Sequence, residues 1–277
     1  MIVAITGASS GIGRAAAVAF AGRGDTVVLA ARSRTTLDHV AWECNEAGAK
    51  VVVVSPTDVA DREQVASLLE QASARCGRVD VVVHCAAVMA YGEFLQVPPE
   101  VFERVLRVDI EGTVNVARSS LRCFTGQGGG HLILLGSVIS KLAPPFMSSY
   151  VMSKWAVRGL ARALQAEVRS QPDVEVSLVT PGSVDTPIYQ RAGNYIGRVG
   201  RPPPPVARAD RVAAAIVALT EDPKREVSIG FANPLMEFGF RHLPGLFDVL
   251  VTPLMKRLGL SRTPTAPTPG NVFEPHP

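Results

Sequence analysis

Ile2-Val3-Ala4-Ile5-Thr6-Gly7-Ala8-Ser9-Ser10-Gly11-Ile12-Gly13 opens the chain, and its reading decides the fold. Ile2 to Thr6 is a short, unbroken apolar run, the pattern of a strand buried on both faces. Three glycines follow at once in a G-x-x-x-G-x-G spacing. Arg14 to Arg23, with Ala15, Ala16, Ala17, Val18, Ala19 and Phe20, then reads as a tightly packed helix. Strand, glycine turn and helix in that order make an anion site, because the free amides of the helix start point out of the turn. Gly7 permits the sharp bend, Gly11 lets backbone approach a diphosphate closely, and Gly13 lets helix pack on strand.

The same alternation continues along the 277 residues. Strands are expected at Thr26–Ala31, Lys50–Val54, Asp80–His84, His131–Gly136, Glu175–Val179 and Glu226–Ile229. Between them, Leu37, Val40, Ala41 and Cys44 recur at helical spacing, and Arg62–Arg75 follows Asp61 as a cap. Pro99 to about Phe124 reads as one long helix, and Arg208–Leu219 as a later one. Apolar strands alternating with helices specify a parallel sheet covered on both faces, and crossover handedness favours a doubly wound topology. The fold class is therefore α/β, a single domain with a doubly wound parallel sheet and helices on both faces.

A second signal lies in Tyr150-Val151-Met152-Ser153-Lys154, with Ser137 upstream. On a helix from Val151 to Arg169, Tyr150 and Lys154 sit one turn apart on one face. A phenol beside an ammonium is an acid–base pair, since the positive charge favours phenolate. The Ser137 hydroxyl is placed to hold a substrate oxygen while that proton moves.

With both motifs in place, the chain resembles the short-chain dehydrogenase/reductase family from Ile2 to about Gly230. The resemblance implies a Rossmann-type fold with a seven-stranded sheet of order 3-2-1-4-5-6-7, a nicotinamide cofactor, and hydride exchange between an alcohol and a ketone or aldehyde. It implies Ser137, Tyr150 and Lys154 as the catalytic set. It also implies cofactor contacts from Gly7, Ser9, Ser10, Gly11, Ile12 and Gly13, and from Cys85, Ala86 and Ala87. Tyr150 and Lys154 would themselves touch the cofactor, and Pro181, Gly182, Val184 and Thr186 would pass its nicotinamide end. Asp58, with the Val59 amide, matches the position that binds the adenine. The family often assembles through its two long helices, here Pro99–Phe124 and Tyr150–Arg169, which implies a homodimer or homotetramer.

Cofactor choice is read at the end of the second strand. A carboxylate there would accept from the ribose hydroxyls and repel a 2′-phosphate. This chain has Ala31, then Arg32, Ser33 and Arg34. With the acid absent and guanidinium forks present, NADP(H) is expected over NAD(H).

Two departures from the family pattern touch the site. His84-Cys85-Ala86-Ala87 stands where Asn-Asn-Ala-Gly is usual, and His84 is read as a structural hydrogen-bonder. Asp109 stands where Asn is usual; a buried carboxylate there is expected to pair with Lys154, raise the lysine pKa and move the pH profile. These two residues also support an alternative reading, a catalytically weak or inactive NADP(H)-binding subunit that senses redox state or acts as a scaffold.

The substrate side is expected from Val138–Met147, from Val88, Met89 and Tyr91, and from a mobile lid over 188–206 with a Pro202–Pro205 hinge. Mostly apolar residues there suit a hydrophobic carbonyl or alcohol. Residues 1–230 form the catalytic domain, and 231–260 an apolar extension that covers the pocket, packs on a partner subunit or lies at a lipid surface. Residues 261–277, with five prolines, are expected to be disordered.

Net charge is +3, too mild and dispersed for a nucleic-acid partner. The four cysteines and five histidines stand singly, so neither a metal site nor a disulfide framework is expected. The chain starts in its first strand and carries no run of about 18 apolar residues, so a cytoplasmic location is the default expectation.

Overall fold

The computed structural model describes residues 1–275; the last two positions of the tail expectation, including His276, lie outside them. Seven parallel strands form one sheet: β1 Ile2–Thr6, β2 Thr26–Ala31, β3 Val51–Pro56, β4 Val81–His84, β5 Gly130–Leu135, β6 Val174–Pro181 and β7 Glu226–Ile229. Their order is 3-2-1-4-5-6-7, as expected for the doubly wound fold. Thr6 pairs with Ala30 on one side and His84 on the other, so the ends of β1, β2 and β4 share one edge.

Helices cover both faces. On one side α1 (Gly11–Ala21), α2 (Arg34–Ala47) and α7 (Ala209–Leu219) pack through Ala16, Phe20, Leu37, Val40, Val212 and Ile216. On the other, α3 (Arg62–Cys76), α4 (Pro99–Leu106), α5 (Gly112–Gln127) and α6 (Ser148–Glu167) contribute Leu68, Val105, Val116, Phe124, Val157 and Ala161. Asp61 caps α3, accepting from the Glu63 and Gln64 amides. The expected single helix over 99–124 is instead α4 and α5 joined by a π turn at Arg107–Glu111, which carries Asp109.

The segment 188–206 differs from a mobile lid. Gly193–Asn194 pairs with Ala90–Tyr91, Arg198–Gly200 with Leu260–Pro264, and Val206–Ala207 with Ser183–Val184. The tail differs from the expected disorder for the same reason: it supplies the missing partner strand. Asn194 and Thr268 exchange backbone hydrogen bonds at 2.7 and 3.0 Å, and Val272 is fully buried. Unpaired strand edges in the lid segment are satisfied by backbone from the tail, and proline lowers the entropy that ordering removes.

Residues 231–260 form a hairpin of two helices, α8 (Asn233–His242) and α9 (Pro244–Leu254). Asn233, 1% exposed, fixes its start. Its side-chain amide donates to Ser228 Oγ at 3.0 Å, Ile229 O at 3.3 Å and Thr180 O at 3.4 Å. Glu237 adds a tie to Lys141, which also reaches Glu226. Although burial pushes it up, Glu226 is held below the usual carboxylate range by hydrogen bonds from Arg158 and Lys141. Replacing Asn233 with Ala removes these bonds and should cost about 1–3 kcal/mol in denaturant unfolding. An unchanged midpoint would show that α8 is anchored elsewhere.

Candidate functional site

The carboxyl edge of the sheet opens into one cavity of about 720 Å³. Gly7, Ser9, Ser10, Gly11, Ile12 and Gly13 line one end, with Arg32, Ser33, Asp58 and Val59 beside them. Cys85, Ala86 and Ala87 form the middle, facing Pro181, Gly182, Val184 and Thr186. Ser137 and Tyr150 line the same space, and Leu235, Phe238, Leu246 and Leu250 of the hairpin form its outer wall. Lys154 and Asp109 lie outside the lining, 4% and 1% exposed. Arg34 is not brought to the cavity: it pairs with Asp38 one turn along α2 at 3.1 Å.

The glycine turn fits a diphosphate. Gly7 has φ +68°, and a side chain there would start 2.6 Å from the Ala86 nitrogen. A side chain on Gly13 would strike the Gly7 carbonyl. Ser10 is extended at the cap position, yet its hydroxyl makes no bond to the helix start, so the first amides of α1 have no side-chain cap.

Arg32 is placed differently from the open fork expected. Its guanidinium donates to the backbone carbonyls of Asn271 at 2.6 Å, Phe273 at 2.7 Å and Val272 at 3.3 Å. Asp58 is also engaged: its carboxylate accepts from Arg104 at 2.5 Å and from the Ala60 amide at 3.0 Å. Distant tail residues hold Arg32, a contact that no local pattern announces.

Around Tyr150 the electrostatics run against a simple Tyr–Lys pair. The Lys154 ammonium sits 5.3 Å from the Tyr150 ring centroid and donates to the Leu135 carbonyl at 3.3 Å. Burial, then Asp109, Tyr189 and Tyr91, push the Tyr150 phenol well above its ordinary value. Tyr91 is fully buried, and its hydroxyl has no hydrogen-bond partner among the described residues. Tyr91, expected on the substrate side as part of an apolar neighbourhood, lines the cavity and adds a polar atom there.

Asp109 does not form the expected ion pair with Lys154. Its carboxylate accepts from the Val88 amide at 2.8 Å and the Ser153 hydroxyl at 2.9 Å. The lysine pKa falls rather than rises, because burial outweighs the attraction of Asp109 and Cys85. Desolvation lifts the Asp109 carboxyl to about 6, against the pull of Lys154.

His84 is buried between two threonines, with Nδ1 2.7 Å from Thr6 Oγ1 and Nε2 3.0 Å from Thr113 Oγ1. Thr113 gives its only hydroxyl proton to the Asp109 carbonyl. Nε2 must therefore donate to Thr113, and Nδ1 accepts from Thr6. Burial first, then Lys154, holds the imidazole neutral, down to about 3.

Fold and cavity together place the molecule among the Rossmann-type oxidoreductases. The short chain dehydrogenase family model matches residues 1–195, and the chain belongs to the short-chain dehydrogenase/reductase family. YxnA, an uncharacterized oxidoreductase of Bacillus subtilis, is 32% identical over 275 residues, 96% of this chain and 75% of that protein. An alcohol dehydrogenase from the archaeon Thermococcus sibiricus, solved with 5-hydroxy-NADP, is similar with a TM-score of 0.71 at 30% identity. A short chain dehydrogenase from Mycobacterium paratuberculosis, bound to NAD, also gives 0.71, at 26% identity. Each comparison covers 82% of this chain and 95% of the other.

The Asp109 carboxyl gives a stability test. Unfolded, it titrates near 3.8, and folded near 6. Between those values the native state keeps a proton that the unfolded chain has lost, so stability falls as pH rises through the window. Asp109→Asn abolishes this titration at constant size. Its stability relative to the natural chain should rise by roughly 1–3 kcal/mol from pH 4 to pH 7. A difference that stays flat would mean the carboxyl is not raised.

Proposed function

We propose that the protein interconverts a hydrophobic secondary alcohol and its ketone, or an aldehyde, using NADP(H), with Tyr150 as acid and base. One observation carries the reading: the diphosphate turn, the Tyr150 phenol and the Ser137 hydroxyl open into one cavity with an apolar outer wall. When bound, the nicotinamide supplies or accepts the hydride. The glycine turn would hold its diphosphate, Lys154 the nicotinamide ribose hydroxyls, and Thr186 the carboxamide.

The protein's own groups divide the remaining work. A raised phenol keeps its proton at neutral pH, the state Tyr150 needs to protonate a carbonyl oxygen. Ser137 Oγ accepts from the Ile139 amide at 3.2 Å, which leaves its own proton free for the same oxygen. The nearby Lys154 charge favours the phenolate left behind. Leu142, Met147 and the hairpin side chains keep water away and accept an apolar substrate body.

Support for NADP(H) over NAD(H) comes from the adenosine end. Ala31 brings no carboxylate, and the Arg32 guanidinium lines the cavity, oriented by neutral carbonyls. Tyr150→Phe should lower kcat/KM for a panel of apolar ketones by about 10²–10⁴ while the NADPH Kd stays within threefold. Turnover surviving that change would remove Tyr150 from the chemistry. Arg32→Asp should weaken NADPH relative to NADH binding roughly 10–100-fold, read by cofactor fluorescence titration. An unchanged ratio would assign the preference elsewhere.

A further inference from the structure

The hairpin of α8 and α9 is covered by protein on only one side. Phe231, Leu235, Phe238, Leu246, Val249 and Leu250 are 84%, 75%, 55%, 56%, 70% and 48% exposed. No residue within α9 is buried. Clusters of this size are rare on soluble surfaces that meet only water. Leu235, Phe238, Leu246 and Leu250 also line the catalytic cavity, so its outer wall is continuous with the exposed patch.

At the end of α9 the surface changes character. A second cavity is lined by Arg198, Arg201, Lys256, Arg257 and Arg262 with Pro253, Leu258 and Leu260, and no carboxylate lines it. None of the five cations forms an ion pair with a carboxylate among the described residues. Arg198 donates to the Ser261 carbonyl, and Arg201 to those of Leu258 and Arg257. These neutral partners orient the guanidinium groups without cancelling their charge. On the hairpin itself Glu237 is tied to Lys141, which leaves Asp248 as its one unpaired acid.

We propose that this face seats the protein on an anionic lipid bilayer, with the hairpin at the acyl boundary and the five-cation cluster against headgroup phosphates. Charge decides between occupants. A second copy docking here would bring an identical basic cluster to the same interface, whereas an anionic bilayer meets the apolar hairpin with acyl chains and the cations with headgroups. No helix among the described residues is long and apolar enough to cross a membrane, so the hairpin lies in the interface. The contact also sets the apolar wall of the cavity against the phase in which apolar substrates dissolve, a corollary that rests on the proposed function. Binding itself does not depend on it.

Cosedimentation of the full chain with vesicles tests the surface directly. Vesicles of phosphatidylcholine with about 30% phosphatidylserine should bind at least tenfold more tightly than phosphatidylcholine alone, and added salt should weaken the binding. Phe231→Asp with Val249→Asp should abolish it, and Arg257→Glu with Arg262→Glu should lower it at least tenfold. All four side chains lie outside the catalytic cavity. Unchanged thermal unfolding of each variant establishes that the fold is intact. Equal binding to both vesicles, or charge reversal without effect, overturns the proposal. So does absent vesicle binding with a dimer in light scattering that Val249→Asp splits, because the face then belongs to a second copy.

Discussion

The backbone leaving β4 passes so close to the glycine turn that a side chain on Gly7 would begin 2.6 Å from the Ala86 nitrogen. Parallel register enforces this approach, since Thr6 and His84 are paired partners in the ladder. From that contact a line of hydrogen bonds runs inward: Thr6 to His84, His84 to Thr113, Thr113 to the Asp109 carbonyl. The Asp109 carboxylate then holds the Val88 amide and Ser153, whose hydroxyl also lies 2.9 Å from the Tyr150 carbonyl. The phosphate end and the phenol end of the cavity are thus parts of one polar framework. A buried framework of this kind is stable only when each member is satisfied, which is why neutral His84 serves where a charged group would not.

Much of this was legible in the sequence because it is local. The strand, glycines and helix of residues 2–21 announce themselves by spacing, and the seven-strand order follows from alternation and handedness. The grouping of Ser137 and Tyr150 with the turn in one cavity also follows from the topology. Non-local features were hidden. The ordering of the proline-rich tail depends on edges left open by residues 193–200, far away in sequence. Arg32 reads as a free fork until the carbonyls of residues 271–273 are seen against it. Composition alone does not reveal which backbone groups need partners.

Asp109 shows a subtler limit. Its identity invites an ion pair with Lys154, yet the π turn aims the carboxylate at an amide and a hydroxyl. One extra residue in a helical turn rotates a side chain to new neighbours, and residue spacing carries no mark of it. The hairpin shows the opposite case. Its apolar character is plain in sequence, and the structure adds how few polar anchors hold it: Asn233 beneath its start and Glu237 against Lys141. Such anchoring fixes position while leaving a large greasy face uncovered.

The return of the tail has a consequence for local unfolding. Residues 271–273 hold the Arg32 guanidinium from 239 to 241 positions further along the chain. The sheet keeps its own ladders when the tail detaches, but the cavity wall beside Arg32 loses its support. A molecule opened locally at its tail has the glycine turn without the carbonyls that fix Arg32.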